Sequence, residues 1–348
     1  MSKITINDTP IRTSRNFKIN NITIDAPEIP EKIKEFENVE IKSLSTICDK
    51  NVDNIQLTYG IGEEQEKEIN AKSNQVAKFD IDKEDNIKII YTFDDNNKYL
   101  INNLEFKVNK NANIIVEYRS TTDLECYHNG KIRVIANNNV HANVTIINFL
   151  NKESTNFDSI ENEIKNNASL NYTVVDIGGK YSITNYYSNI VGKEAKNDIK
   201  TVYLGTDNQI KDINYIAELR GQKTNMEMDL QGALKDNSKK NFKGTIDFKK
   251  GSKKAKGHEN EACMMLSEKA KSLALPMLLC TEEDVEGEHS TSSGKADEKE
   301  LFYIMSRGLS RNEAIKLMVK AKFYDIIERI QDENLKTEVI EEIDRRLD

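Results

Sequence analysis

Asn111-Ala112-Asn113-Ile114, His141-Ala142-Asn143-Val144, Asn167-Ala168-Ser169-Leu170 and Glu194-Ala195-Lys196 each place a small alanine just ahead of a β-forming run. Alanines 112, 142, 168 and 195 stand 30, 26 and 27 residues apart. A repeat of this length, built from short strands and polar turns, is the pattern of a β-solenoid. No coil buries its inward face alone, so stacking on its neighbours supplies the core. A large antiparallel sandwich also uses short strands with turn signals. Two-residue hairpin turns weigh between the two: Asn129-Gly130 is the one Asn-Gly or Asp-Gly pair, which favours the solenoid.

The texture around the repeat agrees. From Ile87 to Leu279, runs such as Ile114-Ile115-Val116, Ile132 to Ile135, Val144 to Ile147, Tyr172 to Val175, Ile199 to Leu204 and Thr245 to Phe248 are punctuated by Asn, Gly, Asp and Lys. Residues 1–85 carry shorter β-type runs (Ile4 to Ile6, Phe17 to Ile24, Ile55 to Leu57) and a brief helix expected at Pro30 to Phe36. Downstream, Asp284 to Met318 opens with the acidic segment Glu286-Gly287-Glu288-His289 and the small polar residues Ser290 to Gly294. Two helix starts follow. Asp297 with Glu300, and Ser310 with Glu313, have capping-box spacing, and Gly308 between them suits a helix end. Ala314, Ile315, Met318, Val319, Phe323, Ile326, Ile327 and Ile330 then follow three-and-four spacing, and Leu335, Val339, Ile343 and Leu347 continue it in a final helix. That apolar face suits either covering the end of the solenoid or docking a partner. The expected architecture is mainly β: an N-terminal α/β region over 1–85, a parallel β-helix over 86–292 and a C-terminal helical subdomain over 293–348.

Composition narrows the function classes. The 348 residues are 37% hydrophobic and 31% charged, with a net charge of -8, so a dedicated nucleic-acid binder is disfavoured. The basic stretch at Lys239-Lys240 and Lys249-Lys250 to Lys256 reads as solvated strand edges and turns. MSKITINDTPIRTSRNF has no signal-peptide core and no window approaches a membrane span, so a cytoplasmic protein is expected. Cys48, Cys126, Cys263 and Cys280 are few and scattered, which suits reduced thiols.

The chemistry is equally selective. Gly178-Gly179-Lys180 and Gly294-Lys295 lack the earlier glycine and the following Ser or Thr of a phosphate loop, so ATP hydrolysis by this chain is not expected. Gly-x-Ser-x-Gly, His-Glu-x-x-His and Cys-x-x-Cys are all missing. Among the histidines, His128 is expected in a surface turn and His141 in a structural role at a strand start. His258 and Cys263 flank a short acidic run and offer a metal pair. His289 has Cys280, Glu286 and Glu288 within nine residues. Imidazole, thiolate and carboxylate all bind iron or zinc, and Cys280 and His289 would converge if they fell on neighbouring strands. A polar turn histidine is the plainer reading.

Glu286-Gly287-Glu288-His289, Gly294-Lys295, Asp297-Glu298, Leu301-Phe302-Tyr303, Met305-Ser306-Arg307-Gly308-Leu309 and Glu313-Ala314 together resemble the C-terminal region of the SufB/SufD family of iron–sulfur cluster assembly proteins. Met264-Met265-Leu266-Ser267, Ala270 and Pro276 extend the likeness, which covers about Glu261 to Ile330. The resemblance implies a right-handed parallel β-helix that pairs with a SufB-like partner or a second copy of itself. It implies an ABC ATPase, SufC, docked on the C-terminal helices, where Leu301, Phe302, Met305, Arg307, Ile315, Met318 and Val319 are the candidate contacts. A transient iron–sulfur cluster would assemble at the pair interface, with His289 at the family's SufD histidine and Cys280, Glu288 and Glu286 as further candidate ligands. SufB's functional glutamate falls on Ser290 and its functional cysteine near Ala270, which points to a SufD-like or minimal-system member. The expected function is therefore a non-catalytic scaffold subunit of a SufBCD-type machine. A β-helix carbohydrate-active enzyme and a metal-free structural solenoid are the alternatives.

Overall fold

The computed structural model describes residues 2–13, 18–48 and 56–348. The chain begins with β1 (Lys3–Ile6), β2 (Ile22–Asp25), β3 (Val39–Lys42), β4 (Thr46–Cys48) and α1 (Glu63–Lys72). The coils follow as β5 (Gln75–Ile81), β6 (Asp85–Phe93), β7 (Tyr99–Val108), β8 (Ala112–Ser120), β9 (Tyr127–Ala136), β10 (His141–Phe149), β11 (Thr155–Ile164) and β12 (Ser169–Asp176). They continue as β13 (Tyr181–Ile190), β14 (Lys196–Gly205), β15 (Ile210–Leu219), β16 (Asn225–Leu234), β17 (Lys239–Phe248), β18 (Ala255–Met265), β19 (Lys271–Cys280) and β20 (Val285–Lys295). Three helices end the chain: α2 (Glu298–Met305), α3 (Arg311–Ile327) and α4 (Glu333–Leu347).

Even strands from β6 to β20 form one nine-stranded sheet with β3 at its edge, and odd strands from β5 to β19 form a second with β4. Every ladder from β5 to β20 is parallel, so the molecule is a flattened parallel β-solenoid. In cross-section it has two facing sheets like the sandwich alternative, but its strands repeat without reversing. Asp85, Ala112, Ala142, Leu170, Asn197, Met226, Gly257 and Gly287 stack in one column, 27 to 31 residues apart.

The alanine repeat is real in two halves. Ala112 stacks on Ala142, and Ala168 precedes the Ser169–Lys196 pair just as Ala195 does, but Ala142 stacks on Leu170. The second pair belongs to a corner motif. Asn139, Asn167, Glu194, Lys223 and Lys254 all have positive φ, and each is followed by a buried Val, Ala or Thr. Each also donates its N–H to a carbonyl of the next coil, at Asn166, Lys193, Gln222, Lys253 and Asp284. A ladder of hydrogen bonds thus offsets the cost of the left-handed backbone at non-glycine residues.

The lumen is filled by inward side chains, including the aromatic row Tyr172, Tyr186, Tyr215 and Phe242. Outside, β1, β2, α1 and the segment just before it cover the odd sheet through Ile6, Ile24, Ile69 and Ile61 against Ile101, Phe157 and Ile183. The C-terminal helices cover the even sheet. Val319, Phe323, Ile327, Leu335, Val339, Ile343 and Leu347 bury against Ile147, Val175, Val202 and Leu204. The periodic apolar face is therefore spent on a sheet face within the chain, rather than on the end of the solenoid. The expected caps form: Asp297 accepts from the N–H of Lys299 and Glu300, Ser310 and Glu313 make a capping box, and Gly308 has φ 100.

Two N-terminal expectations are corrected. Pro30 to Phe36 is not helical. Phe36 is instead drawn into the first coil, its ring 5.1 Å from that of Phe93. The helix of this region is α1, whose sequence EEQEKEINAK buries only Ile69 and so lacks an apolar stripe. Of the expected runs, Phe17 and Ile55 lie outside the described residues, and Gln56-Leu57 is not a strand.

Candidate functional site

The solenoid ends differ. At the first, β3 and β4 lie antiparallel to β6 and β5 and Phe36 fills the lumen. At the second, β19 and β20 are the last strands of their sheets, and among the described residues nothing pairs with their outer edges. Such edges carry a row of unpaired N–H and C=O groups. Every residue of β20 after Val285 is exposed.

Register fixes which way the candidate ligands face. In β18, Ala255, Gly257, Glu259, Glu261 and Cys263 are buried and alternate with less buried neighbours, Lys256 and His258 being exposed. Residue by residue, β20 sets His289 on Glu259, Thr291 on Glu261 and Ser293 on Cys263. Side chains alternate along a strand, so His289 belongs to the lumen-facing set. Glu286 and Glu288 belong to the outward set, where Glu286 meets Lys256 at 2.7 Å. In β19, Pro276 stands on Gly244 and Cys280 on Phe248.

Two contacts align β19 with β20 across the lumen. Ser272 Oγ lies 2.8 Å from Ser293 Oγ, and a Cβ at Gly287 would lie 3.4 Å from Leu278 Cδ1. Pro276 is therefore level with His289, and Cys280 with Val285. Cys280 and His289 occupy opposite sheets and differ by four residues in level, about 13 Å along the strands. They do not come together within one chain. The Cys280 thiol instead donates to the Glu282 carbonyl at 2.8 Å. Among the described residues, no three His, Cys, Asp or Glu side chains are grouped to hold a metal. His258 and Cys263 also part, lying on opposite faces of β18.

Beneath the open coil lies a buried polar layer that the sequence did not disclose. Lys240 pairs with Glu261 at 2.8 Å, both fully buried, and the Tyr203 hydroxyl donates to the same carboxylate. Lys240 is thus not a solvated edge residue. Glu259, next to His289 in the ladder, has both carboxylate oxygens buried without a hydrogen-bond partner. Burial first, and the nearby Glu261 second, push its carboxyl up to about 8. Gly244 makes the room, since a Cβ there would overlap the Glu259 carboxylate. The period-two signal in Gly257 to Cys263 was present, but charged residues at inward positions masked it.

His128 is corrected as well. It is fully buried inside β9, with Nδ1 2.6 Å from Asn156 Oδ1 and Nε2 2.6 Å from Asn102 Oδ1. His141 is exposed at the start of β10, its Nδ1 2.8 Å from Ser169 Oγ.

The docking candidates divide. Leu301 and Met318 are buried with Ala314, Val319 packs on the sheet, and Ile315 is half-buried. Phe302 is 74% exposed, and Met305 and Arg307 are exposed beside it. Tyr303 on the same helix and Leu317 and Tyr324 on α3 are exposed as well. Sequence spacing missed them because they lie off the helix stripe.

Fold and site together define a parallel β-solenoid capped at its first end and open at its last coil. The SUF system FeS cluster assembly, SufBD core domain family matches residues 91–322, so the chain belongs to that family. It is 29% identical over 166 residues to the iron-sulfur cluster assembly protein SufD of Bacillus subtilis, covering 48% of this chain and 38% of that protein. A SufBD family protein of Pyrococcus horikoshii is 32% identical over 161 residues, covering 45% and 35%. SufD of Escherichia coli is 21% identical over 252 residues, covering 72% and 60%. The chain thus matches about a third to three fifths of the length of these relatives. No helix among the described residues is long and apolar enough to cross a membrane.

Proposed function

We propose that this chain is a non-catalytic cytoplasmic scaffold subunit of a SufBCD-type complex. It pairs through its last coil with a SufB-like chain or a second copy, and it docks a SufC-type ABC ATPase on its C-terminal helices. Clusters pass through the pair interface as cargo. The observation that carries this reading is the open last coil, with two unpaired edge strands and His289 in its lumen-facing row. An edge that long normally invites another chain. All four candidate ligands lie on the two edge strands of the last coil, and Cys280, Glu286 and Glu288 would join His289 only if that coil rearranged. Phe302, Tyr303 and Met305 form the exposed part of the ATPase dock. Family membership sets aside the carbohydrate-active alternative.

The test is co-purification with the ATPase, followed by anaerobic reconstitution with ferrous iron and sulfide. The expected result is a complex carrying cluster absorbance. An ATPase that does not bind, or a complex that never takes up iron, overturns the reading.

A further inference from the structure

Buried carboxylates in this chain are answered by cations. Glu117 meets Lys88 at 2.9 Å, Asp176 meets Lys211 at 2.9 Å, Asp212 meets Lys243 at 2.5 Å and Glu261 meets Lys240 at 2.8 Å. Glu259 breaks the pattern. It is 0% exposed, and neither carboxylate oxygen has a hydrogen-bond partner. A buried carboxyl left so is costly, and it marks a place where something else binds.

Its surroundings leave one direction for an answer. Gly244 faces it across the lumen and offers only backbone, since a Cβ there would lie 2.3 Å from the carboxylate carbon. Met228 is its ladder partner one coil back, and Phe242 and Ile246, on either side of Gly244, are core residues. Glu261, two residues along, is taken by Lys240. On the remaining side stands His289, its partner in β20 and exposed in the last coil.

Spacing decides what fits between them. Neighbouring strands lie about 4.8 Å apart. Two bonds from one metal ion, each about 2.1 Å long, span about 4 Å. One ion therefore bridges a carboxylate and an imidazole on successive coils of the same lumen-facing row with little adjustment. Cys280, about 13 Å along the strands and on the opposite sheet, is out of reach. A carboxylate oxygen with an imidazole nitrogen is a donor set that suits ferrous iron.

We propose that Glu259 and His289 hold one divalent metal ion between them in the mouth of the lumen, before any cluster forms. Two side chains leave the other coordination positions to water, which suits an ion that moves on. This rests on the reading of His289 as a ligand.

The test is calorimetric titration of the full chain, without partners, using cobalt(II) as an oxygen-stable stand-in for ferrous iron. The wild type should bind one ion, and Glu259→Gln and His289→Ala should each weaken binding at least about tenfold. Combining them should weaken it by less than the product of the two effects, because both side chains hold the same ion. Without metal, Glu259→Gln should unfold at or above the wild-type midpoint, since it removes an unpartnered buried carboxyl. Cobalt should raise the midpoint of the wild type more than that of the variant. Cys280→Ser, Glu288→Gln and His258→Ala should bind as the wild type does. A wild type that binds no ion, undiminished binding by Glu259→Gln, or a loss that follows Cys280, Glu288 or His258 instead overturns the proposal. So does a lowered midpoint for Glu259→Gln, which would assign the carboxyl to the fold. Cluster uptake by the ATPase complex of the same variants separates the two readings: a complex that takes up cluster while Glu259→Gln binds cobalt normally overturns this inference and leaves the scaffold function standing.

Discussion

Tyr203 occupies the space that a side chain at Gly232 would need: a Cβ at position 232 would overlap the Tyr203 ring. The two residues are partners in adjacent strands of the even sheet. The ring crosses the glycine so that its hydroxyl reaches Glu261, a further coil along. Gly232→Ala should therefore destabilise the chain by about 1–3 kcal/mol through overpacking, read as a lower thermal midpoint. Tyr203→Phe should cost less, because the ring stays and only one hydrogen bond is lost.

This column shows what the sequence could and could not disclose. The coil period, the strand runs and the helix caps are local patterns, and they were legible. The inward glycines and charges were not, because their reason lies one or two coils away. Gly232 matters only through a tyrosine 29 residues earlier, and Gly244 through Glu259 across the lumen. Family likeness is what singled out His289 as a candidate. Its separation from Cys280 was not legible, since nine residues in sequence do not say whether a turn places two side chains on one sheet or on two.

Lys240 and Glu261 form an ion pair with no exposure to water. Lys240→Met leaves Glu261 charged and unpaired in the lumen, and should cost about 3–5 kcal/mol. Adding Glu261→Leu should recover most of that loss. Unfolding midpoints of the single and double variants check both steps, and a double variant no better than the single would mean that the lysine acts by packing.

His128 and Asp158 approach to 3.9 Å inside the lumen. Burial lowers His128 from 6.5 to about 4, and burial raises Asp158 from 3.8 to about 7. The stability linked to neutral His128 is full above pH 6.5 and is lost as pH falls through about 4. That linked to protonated Asp158 is full below pH 3.8 and is lost as pH rises through about 7. Between pH 4 and 6.5 the two slopes oppose each other. Asp158→Asn should expose the histidine slope, so that stability falls toward acid by up to about 1.4 kcal/mol per pH unit relative to wild type. Denaturation midpoints across that range check it.

Phe302 and Phe323 separate docking from folding. Phe302 is exposed on α2, whereas Phe323 is fully buried between α3 and the even sheet. Phe302→Ala with Tyr303→Ala should weaken ATPase capture and leave the thermal midpoint unchanged. Phe323→Ala should cost about 3–5 kcal/mol by opening a cavity under the helix. Equal loss of capture and stability in the exposed pair would place the dock elsewhere.

His289 and Cys280 make different predictions because they sit on different sheets. If the cluster forms at the seam around the level of His289, which stands in the lumen-facing row of β20, a second ligand must lie at that level too. Cys280 stands about 13 Å further along, its thiol already donating to the Glu282 carbonyl. His289→Ala should thus remove most reconstituted iron and sulfide from the complex, and Cys280→Ser should leave most of it in place. Neither change disturbs a buried contact, so both variants should keep the wild-type thermal midpoint. Should Cys280→Ser abolish the cluster as fully as His289→Ala, the last coil must rearrange on assembly to bring the thiol to the imidazole.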